Sequence, residues 1–418
     1  MSKGSPAPST TSHPSRTLVA YADGESPAVR LMIKRRKNER LRIAMAGTRG
    51  MPANYGGVET VVDVLARQLV LRGHEVTVFC RSEDYEHHPP MIDGVKLIYL
   101  PASASPGVGA MLHAYRAAMY CVGRNFDIIH FHALGPGMMS VISRLLTKST
   151  VITTVHGRDD KRDKWGRSVR YVLRAAASIS ARVPHSTLVV SQTLADEYAG
   201  EFNRTTTVVP NSTHPIKEVA PGETLARFGL LHQNYFVSVG RLVPEKAPHE
   251  MILAYQQAMT DLPLVIVGGA AGTESYVEHL HELAQGNENI IFSGPLYGDE
   301  LAEMLTNAGG FVTSSHLEGL PTALIEAGRA ALPIIASDIN PHLEILNTQR
   351  GSDGRRIYPM GDSKALSELM TAVSEHHEEE LFGAKLLAAE LDERYAPART
   401  GEVHEHAYVS AIAHRHRR

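Results

Sequence analysis

Cysteine is nearly absent: Cys80 and Cys121 are the only two in 418 residues. Two cysteines make neither a disulfide framework nor a cysteine-rich zinc site. Both lie in apolar stretches, so reduced core thiols and a cytoplasmic protein are expected. No apolar run approaches the roughly 18–20 residues that span a bilayer. The first residues show no signal-peptide core, so no secretory leader is expected. Charge of one sign is lacking too. Lys and Arg number 42 against 45 Asp and Glu, a net −3, which argues against a nucleic-acid polymer as partner. Tryptophan occurs once, as Trp165.

What is present fits a globular enzyme. Hydrophobic residues make up 43% and charged residues 21%, which excludes a disordered chain. The length predicts two domains. Residues 1–40 stand apart, opening Ser/Pro/Thr-rich and ending KRRKNER, with eight Lys/Arg against three Asp/Glu. They read as a disordered basic extension on an acidic body. Attraction of that basic run to anionic lipid leaves peripheral contact with the inner face of a membrane open.

From Leu41 onward, short β-branched runs alternate with helical patterns. LRIAMAG, EVTVFC, VKLIYL, FDIIHFH, TVITTVH and STLVVS read as strands. VETVVDVLARQLVLRGH reads as a helix with Gly73 just past its end. After the polar stretch VVPNSTHPIKEVAPGE the alternation restarts with YFVSVGRL, LPLVIVGG, NIIFSGPL, GFVTSS and LPIIASD. The fold class is therefore α/β, with two Rossmann-like domains of parallel sheet facing a central cleft. The expected boundaries are 41–213 for the first domain, 214–393 for the second, and 394–418 for a helix returning to the first. Ligands in such sheets bind beyond the carboxyl ends of the strands.

The chemistry concentrates there. In SSHLEGLPTALIEAGRA, Glu318 follows a strand end and precedes a Gly-Leu-Pro turn. Pro321 suits the first helical position, and Thr322 then lies in a first turn whose free N–H groups attract anions. Glu326 sits about one and a half turns into the helix, in reach of a sugar diol; the alternative is a solvated helix glutamate. In SVGRLVPEKAPHEMI, Arg241 and Lys246 would meet the charge of a diphosphate leaving group. Otherwise they are loop cations paired with Glu245 or Glu250. No Asp-x-Asp follows a strand and no zinc motif occurs among 22 His, so no metal site is expected.

Together these motifs resemble the retaining, metal-independent GT-B glycosyltransferases, and are similar to family 4. Glu318 to Glu326, the G-R-L-x-x-x-K stretch from Gly240 to Lys246, and VVPNS at Val208–Ser212 carry the resemblance over about residues 41–390. The first domain, with AGTRGMPANYGGVET, looks like the rhamnosyltransferase-like branch. The resemblance implies a UDP, GDP or dTDP sugar as donor and no cofactor. It implies that Glu326 binds the ribose, Glu318 the transferred sugar, and Arg241 and Lys246 the diphosphate. Backbone around Gly319, Leu320, Pro321 and Thr322 would approach sugar and diphosphate, with Gly56 and Gly57 closing on the donor from the first domain.

His156 ends a strand and, in similar enzymes, faces the transferred sugar. It would bond a sugar hydroxyl or support charge near the anomeric carbon. His130 and His132 share one strand face and are candidate acceptor contacts, as is Trp165, which could stack on an acceptor sugar. The implied activity is transfer of a hexosyl or deoxyhexosyl unit, with retention, to a hydroxyl acceptor. That acceptor would be a polysaccharide, a glycolipid or other lipid-linked species, or a natural product. A nucleotide-sugar epimerase and a non-catalytic nucleotide-sugar binding module are the alternatives.

Overall fold

The structure is a computed structural model that describes residues 39–53, 55–103, 108–162, 166–347 and 355–415. The basic extension (but for its last two residues) and Trp165 lie outside the described residues.

Two sheets form. The first holds β1 (Arg42–Ala46), β2 (Glu75–Arg81), β3 (Met91–Ile92), β4 (Val95–Leu100), β5 (Ile128–His132), β6 (Thr150–Val155), β7 (Ser186–Val189) and β8 (Thr207–Val208). Their spatial order is β3-β4-β2-β1-β5-β6-β7-β8, parallel except where β3 turns back on β4. The second holds β9 (Phe236–Val239), β10 (Leu264–Val267), β11 (Ile290–Gly294), β12 (Gly310–Thr313), β13 (Ile334–Ser337) and β14 (Arg355–Tyr358). Its order is β11-β10-β9-β12-β13-β14, parallel throughout.

The central strands are apolar because helices cover both faces. All six residues of β6 and all four of β10 are buried. Strand order reverses between β1 and β5 in the first sheet, and between β9 and β12 in the second. Each reversal opens a crevice at the carboxyl ends of the strands. Apart from His130 and His132, which lie within β5, and Trp165, the site residues named from sequence follow β1, β6, β9 and β12, so topology directs them to these crevices.

Strand β14 is absent from the sequence reading because its sequence, RRIY, is half cationic. Its arginines are matched from helix His377–Arg394: Arg355 reaches Glu390 at 2.5 Å, and Arg356 bonds Glu380. Long-range pairing, invisible in local pattern, makes the strand possible. The second correction is smaller. Helix Thr322–Arg329 begins one residue later than the proline suggested, with Pro321 as its N-cap at φ −69 and ψ 116.

The chain end ties the halves together. Helix His377–Arg394 packs on Thr322–Arg329 in the second domain. Helix Pro397–Arg415 then crosses to helix Gly57–Leu71 and β6 in the first. Ala407, Tyr408, Ala411 and Ile412 enter the first domain's core, and Arg72 Nε donates to Glu405 at 2.7 Å. Tyr408 is fully buried, and its hydroxyl lies 2.8 Å from His130 Nδ1. Tyr408→Phe leaves that nitrogen unsatisfied in a dry site, so a loss of about 1–3 kcal/mol in unfolding free energy is expected. Urea denaturation of the folded variant measures it; an unchanged midpoint and slope would refute this account of the helix.

Candidate functional site

The two crevices meet nearly backbone to backbone. A Cβ added at Gly319 would lie 1.9 Å from the His156 carbonyl oxygen and 3.2 Å from Gly157 Cα. A Cβ added at Gly57 would lie 2.6 Å from Thr322 Oγ1. Only glycine allows the first-domain loops to approach the second domain this closely. Gly56 caps helix Gly57–Leu71, which therefore begins opposite the start of Thr322–Arg329. Each helix start leaves N–H groups unpaired, so two anion-attracting termini face one cleft.

On the second-domain side, Arg241 leaves β9 and stays solvent-accessible. Desolvation within the cleft, followed by the neighbouring Arg162 charge, lowers its pKa from the ordinary arginine value. Among the described residues no carboxylate forms an ion pair with it. Lys246 instead donates to Glu318 Oε1 at 2.6 Å, and the Ser315 hydroxyl donates to the same oxygen at 2.9 Å. Neither cation pairs with Glu245 or Glu250. Glu245 is buried, its nearest cation being Arg162 at 3.8 Å. Burial pushes the Glu318 pKa up, but the Lys246 ammonium and Ser315 outweigh it and hold the carboxyl below the ordinary glutamate value. Ser238, Gly240, Arg241, Lys246 and Ser315 line a small cavity at this point.

Glu326 has the opposite electrostatics. Its side chain is half-buried and, among the described residues, accepts no hydrogen bond. Burial pushes its pKa up from 4.5 to about 7, against the weaker pull of His214 and Arg329. A carboxyl in a recess without donors is prepared for a ligand that brings them.

The first domain supplies a file of histidines. His132 Nδ1 lies 3.1 Å from His156 Nε2, and the His130 and His132 rings are 4.0 Å apart. Burial drives the His156 pKa down to about 3, with the Asn211 side chain acting against it. His156 is thus a neutral hydrogen-bonding group, not a cation, and among the described residues its Nδ1 meets no hydrogen-bond partner. The expectation that His130 and His132 contact an acceptor is corrected. His130 is fully buried, with Nε2 2.7 Å from Thr154 Oγ1 and Nδ1 on Tyr408. His132 is 1% exposed and stands behind His156. Strand alternation placed both on one face but could not tell that the C-terminal helix covers it.

Asn211, within the VVPNS stretch, has a structural role that the sequence does not announce. Its Nδ2 donates to the Leu320 carbonyl at 2.7 Å, linking the inter-domain strand to the Glu318–Glu326 loop. An Asn directly after Pro210, just past the short strand Thr207–Val208, was the signal available in the sequence. Among the described residues no group of three His, Cys, Asp or Glu is placed to hold a metal ion. Likewise, no described helix is long and apolar enough to cross a membrane.

The raised Glu326 pKa sets a test. The unfolded chain loses this proton near 4.5, the folded one near 7, so stability contributed by the protonated form is lost as pH rises across that window. Glu326→Gln removes the dependence. The variant should gain on the order of 1–3 kcal/mol over the parent at pH 8 and nothing at pH 4. Thermal unfolding at both pH values measures this, and an equal gain at both would refute it.

Comparison with known proteins agrees with the fold. Residues 226–381 fit the family model described as glycosyl transferases group 1, and residues 55–215 fit glycosyltransferase family 4. The chain is 26% identical over 337 residues to the O-antigen chain mannosyltransferase C of Escherichia coli, covering 78% of this chain and 87% of that protein. It is 24% identical over 336 residues to a D-inositol 3-phosphate glycosyltransferase of Kineococcus radiotolerans, covering 71% and 75%. Among solved structures, Anabaena HepE in complex with UDP-glucose superposes with a TM-score of 0.70 at 15% identity, covering 87% of this chain and 98% of that one. Sucrose-phosphate synthase from Thermosynechococcus elongatus gives 0.72 at 18%, with the same coverage. With a glycosyltransferase model on each of its two Rossmann-like halves, the chain is a glycosyltransferase of the GT-B fold.

Proposed function

We propose that the chain transfers a sugar, with retention and without a metal ion, from a nucleotide-diphosphate sugar to a hydroxyl acceptor. The observation that carries this reading is the unpartnered Glu326 carboxyl beside a helix start, with the free Arg241 across the same crevice. A ribose offers two hydroxyl donors to the carboxylate, and a diphosphate offers an anion to the N–H groups near Thr322 and to Arg241. Glu318, held anionic by Lys246, accepts from hydroxyls of the transferred sugar. The backbone of Gly319, Leu320 and Pro321 approaches the diphosphate and that sugar. The neutral His156 bonds one of its hydroxyls. Gly56 and Gly57 close on the donor from the first domain, where the acceptor enters.

Chemistry then proceeds on one face of the sugar. The bond from the anomeric carbon to the phosphate oxygen breaks, and its electron pair stays on that oxygen. The acceptor oxygen bonds the anomeric carbon from the same side, and its proton passes to the departing phosphate. Arg241 and the Thr322 helix terminus stabilise charge that grows in the transition state, which makes their binding catalytic. Lys246 joins them as its bond to Glu318 is shared with the incoming diphosphate. A UDP-glucose complex is known for HepE, which supports including UDP sugars in the donor panel beside GDP and dTDP sugars. Deoxyhexosyl donors test the rhamnosyltransferase-like branch. Synthesis of a surface polysaccharide or glycolipid is the proposed setting, in line with the O-antigen mannosyltransferase relative.

Purified protein with a nucleotide-sugar panel, with and without acceptors, tests the reading. Acceptor-dependent release of nucleoside diphosphate that survives EDTA is expected. An isomerised donor without transfer would identify an epimerase, and binding without turnover a binding module. Glu326→Ala should lower kcat/KM by at least about 100-fold while the melting transition stays cooperative, and Arg241→Ala should act mainly on kcat. Near-parental kinetics in Glu326→Ala would overturn the donor site.

A further inference from the structure

The register of the first sheet sets two histidines side by side. Thr154 of β6 pairs with His132 of β5, and His156 lies two residues past Thr154, on the same face. His132 Nδ1 thereby comes within 3.1 Å of His156 Nε2, with the two rings tilted by 32°. His132 is buried and His156 half-buried. Burial, then the neighbouring histidines, lowers the His132 pKa well below the ordinary histidine value. Burial likewise pushes His156 down to about 3. Both rings are therefore neutral, and each has one N–H and one bare nitrogen. Their contact has a single donor, and the choice of donor fixes the proton on both rings.

Two arrangements make the contact. In the first, His132 Nδ1–H donates to His156 Nε2, and His156 holds its own proton on Nδ1. In the second, His156 Nε2–H donates, and the His132 proton sits on Nε2. The second arrangement strands an N–H, because among the described residues His132 Nε2 meets no hydrogen-bond partner. The His130 ring, 4.0 Å away, offers none. Its nitrogens are engaged by Thr154 Oγ1 and the Tyr408 hydroxyl. The first arrangement leaves only a bare nitrogen at that point, and an unpaired buried N–H is the rarer defect.

Asn211 favours the same choice. A carbonyl only accepts, so the bond from Nδ2 to the Leu320 carbonyl fixes the Asn211 amide. Its Oδ1 is buried and bonds nothing among the described residues. The Asn211 side chain favours the protonated His156 ring, as an acceptor facing an N–H does. With Nε2 taken by His132, the nitrogen left to carry that proton is Nδ1.

We propose that His132 is a positioning residue: by donating to His156 Nε2 it fixes His156 as the Nδ1–H tautomer, a hydrogen-bond donor to the transferred sugar. The basic lone pair of His156 then faces His132 and not the cleft, so His156 does not take the proton of the acceptor. The sugar must present an oxygen lone pair to receive the Nδ1–H. A ring free to change tautomer would accept from a hydroxyl as readily as donate to it; the fixed ring does only the second. The tautomer stands on the geometry alone, and its part in transfer rests on the donor reading above.

Full-length protein isotopically labelled at its histidine ring nitrogens tests this. A two-bond nitrogen–proton correlation spectrum reports which ring nitrogen is protonated, and His156→Gln identifies the signals of His156. A protonated Nδ1 and a bare Nε2 are expected near neutral pH. His132→Leu removes the donor, whereas His132→Asn returns an N–H at the place of Nδ1. In His132→Leu the His156 signals should show mixed tautomers, and kcat should fall about tenfold while the donor KM changes by less than about twofold. His132→Asn should keep the single tautomer and most of kcat. A parent with its His156 proton on Nε2 overturns the proposal. So does a His132→Leu protein that keeps the single Nδ1–H form or loses it at parental kcat, and so does His132→Asn if it fares no better than His132→Leu. Where His132→Leu does not fold, the parent spectrum and His132→Asn decide. If His156 shows the Nδ1–H form but no sugar is transferred from any donor, the transferase reading fails and the tautomer assignment stands.

Discussion

The approach of Gly319 to the His156 carbonyl is the constraint on which the cleft depends. A side chain at that position would overlap the carbonyl, with a Cβ only 1.9 Å away. The turn after β12 can therefore enter the first domain's crevice only as bare backbone. That entry brings the start of Thr322–Arg329 opposite Gly57, and it sets Leu320 where Asn211 bonds its carbonyl. Remove the close approach and the donor candidates on one domain separate from the histidine file on the other. The C-terminal crossover serves the same end, since one helix packs on Thr322–Arg329 and the next on the first domain.

Within that geometry the two glutamates diverge. Glu318 has a cation and a hydroxyl on one oxygen and is held ionised. Glu326, eight positions on, has no hydrogen-bond partner among the described residues and is pushed to about 7 by burial. Their separation in sequence is uninformative in a chain with 45 acidic residues. Their separation in environment gives one a fixed charge and leaves the other to be completed by a ligand. The histidine file adds a neutral wall, because burial keeps His156 uncharged and so avoids competition with Arg241 for the anion.

Much of the fold was legible because burial on both faces writes itself as apolar runs. Six of the eight strands of the first sheet, five of the six of the second, the helix ending before Gly73, and the loops carrying Arg241, Lys246, Glu318 and Glu326 follow from pattern and punctuation. What failed to show was set by contacts distant in sequence. His130 read as a cleft residue because alternation gives the face but not what covers it, and the cover is Tyr408, 278 residues away. Strand β14 looked too cationic because its partners Glu380 and Glu390 sit on a later helix. Asn211 looked like linker because its acceptor, Leu320, is 109 residues on.

The charge arrangement also bears on how the cleft handles a diphosphate. If Lys246 and Arg241 were both unpaired, the empty crevice would carry two desolvated cations beside Arg162, and burial already disfavours Arg241 in its charged form. The Lys246–Glu318 bond at 2.6 Å pairs one of those cations in the empty state. When an anion arrives, Lys246 need not be released, since an ammonium has three donors and Glu318 uses one. The carboxylate stays satisfied by Ser315, 2.9 Å away, and keeps lone pairs for sugar hydroxyls. A pair that looks self-quenched is therefore a way of storing a cation beside the phosphate position without leaving it bare.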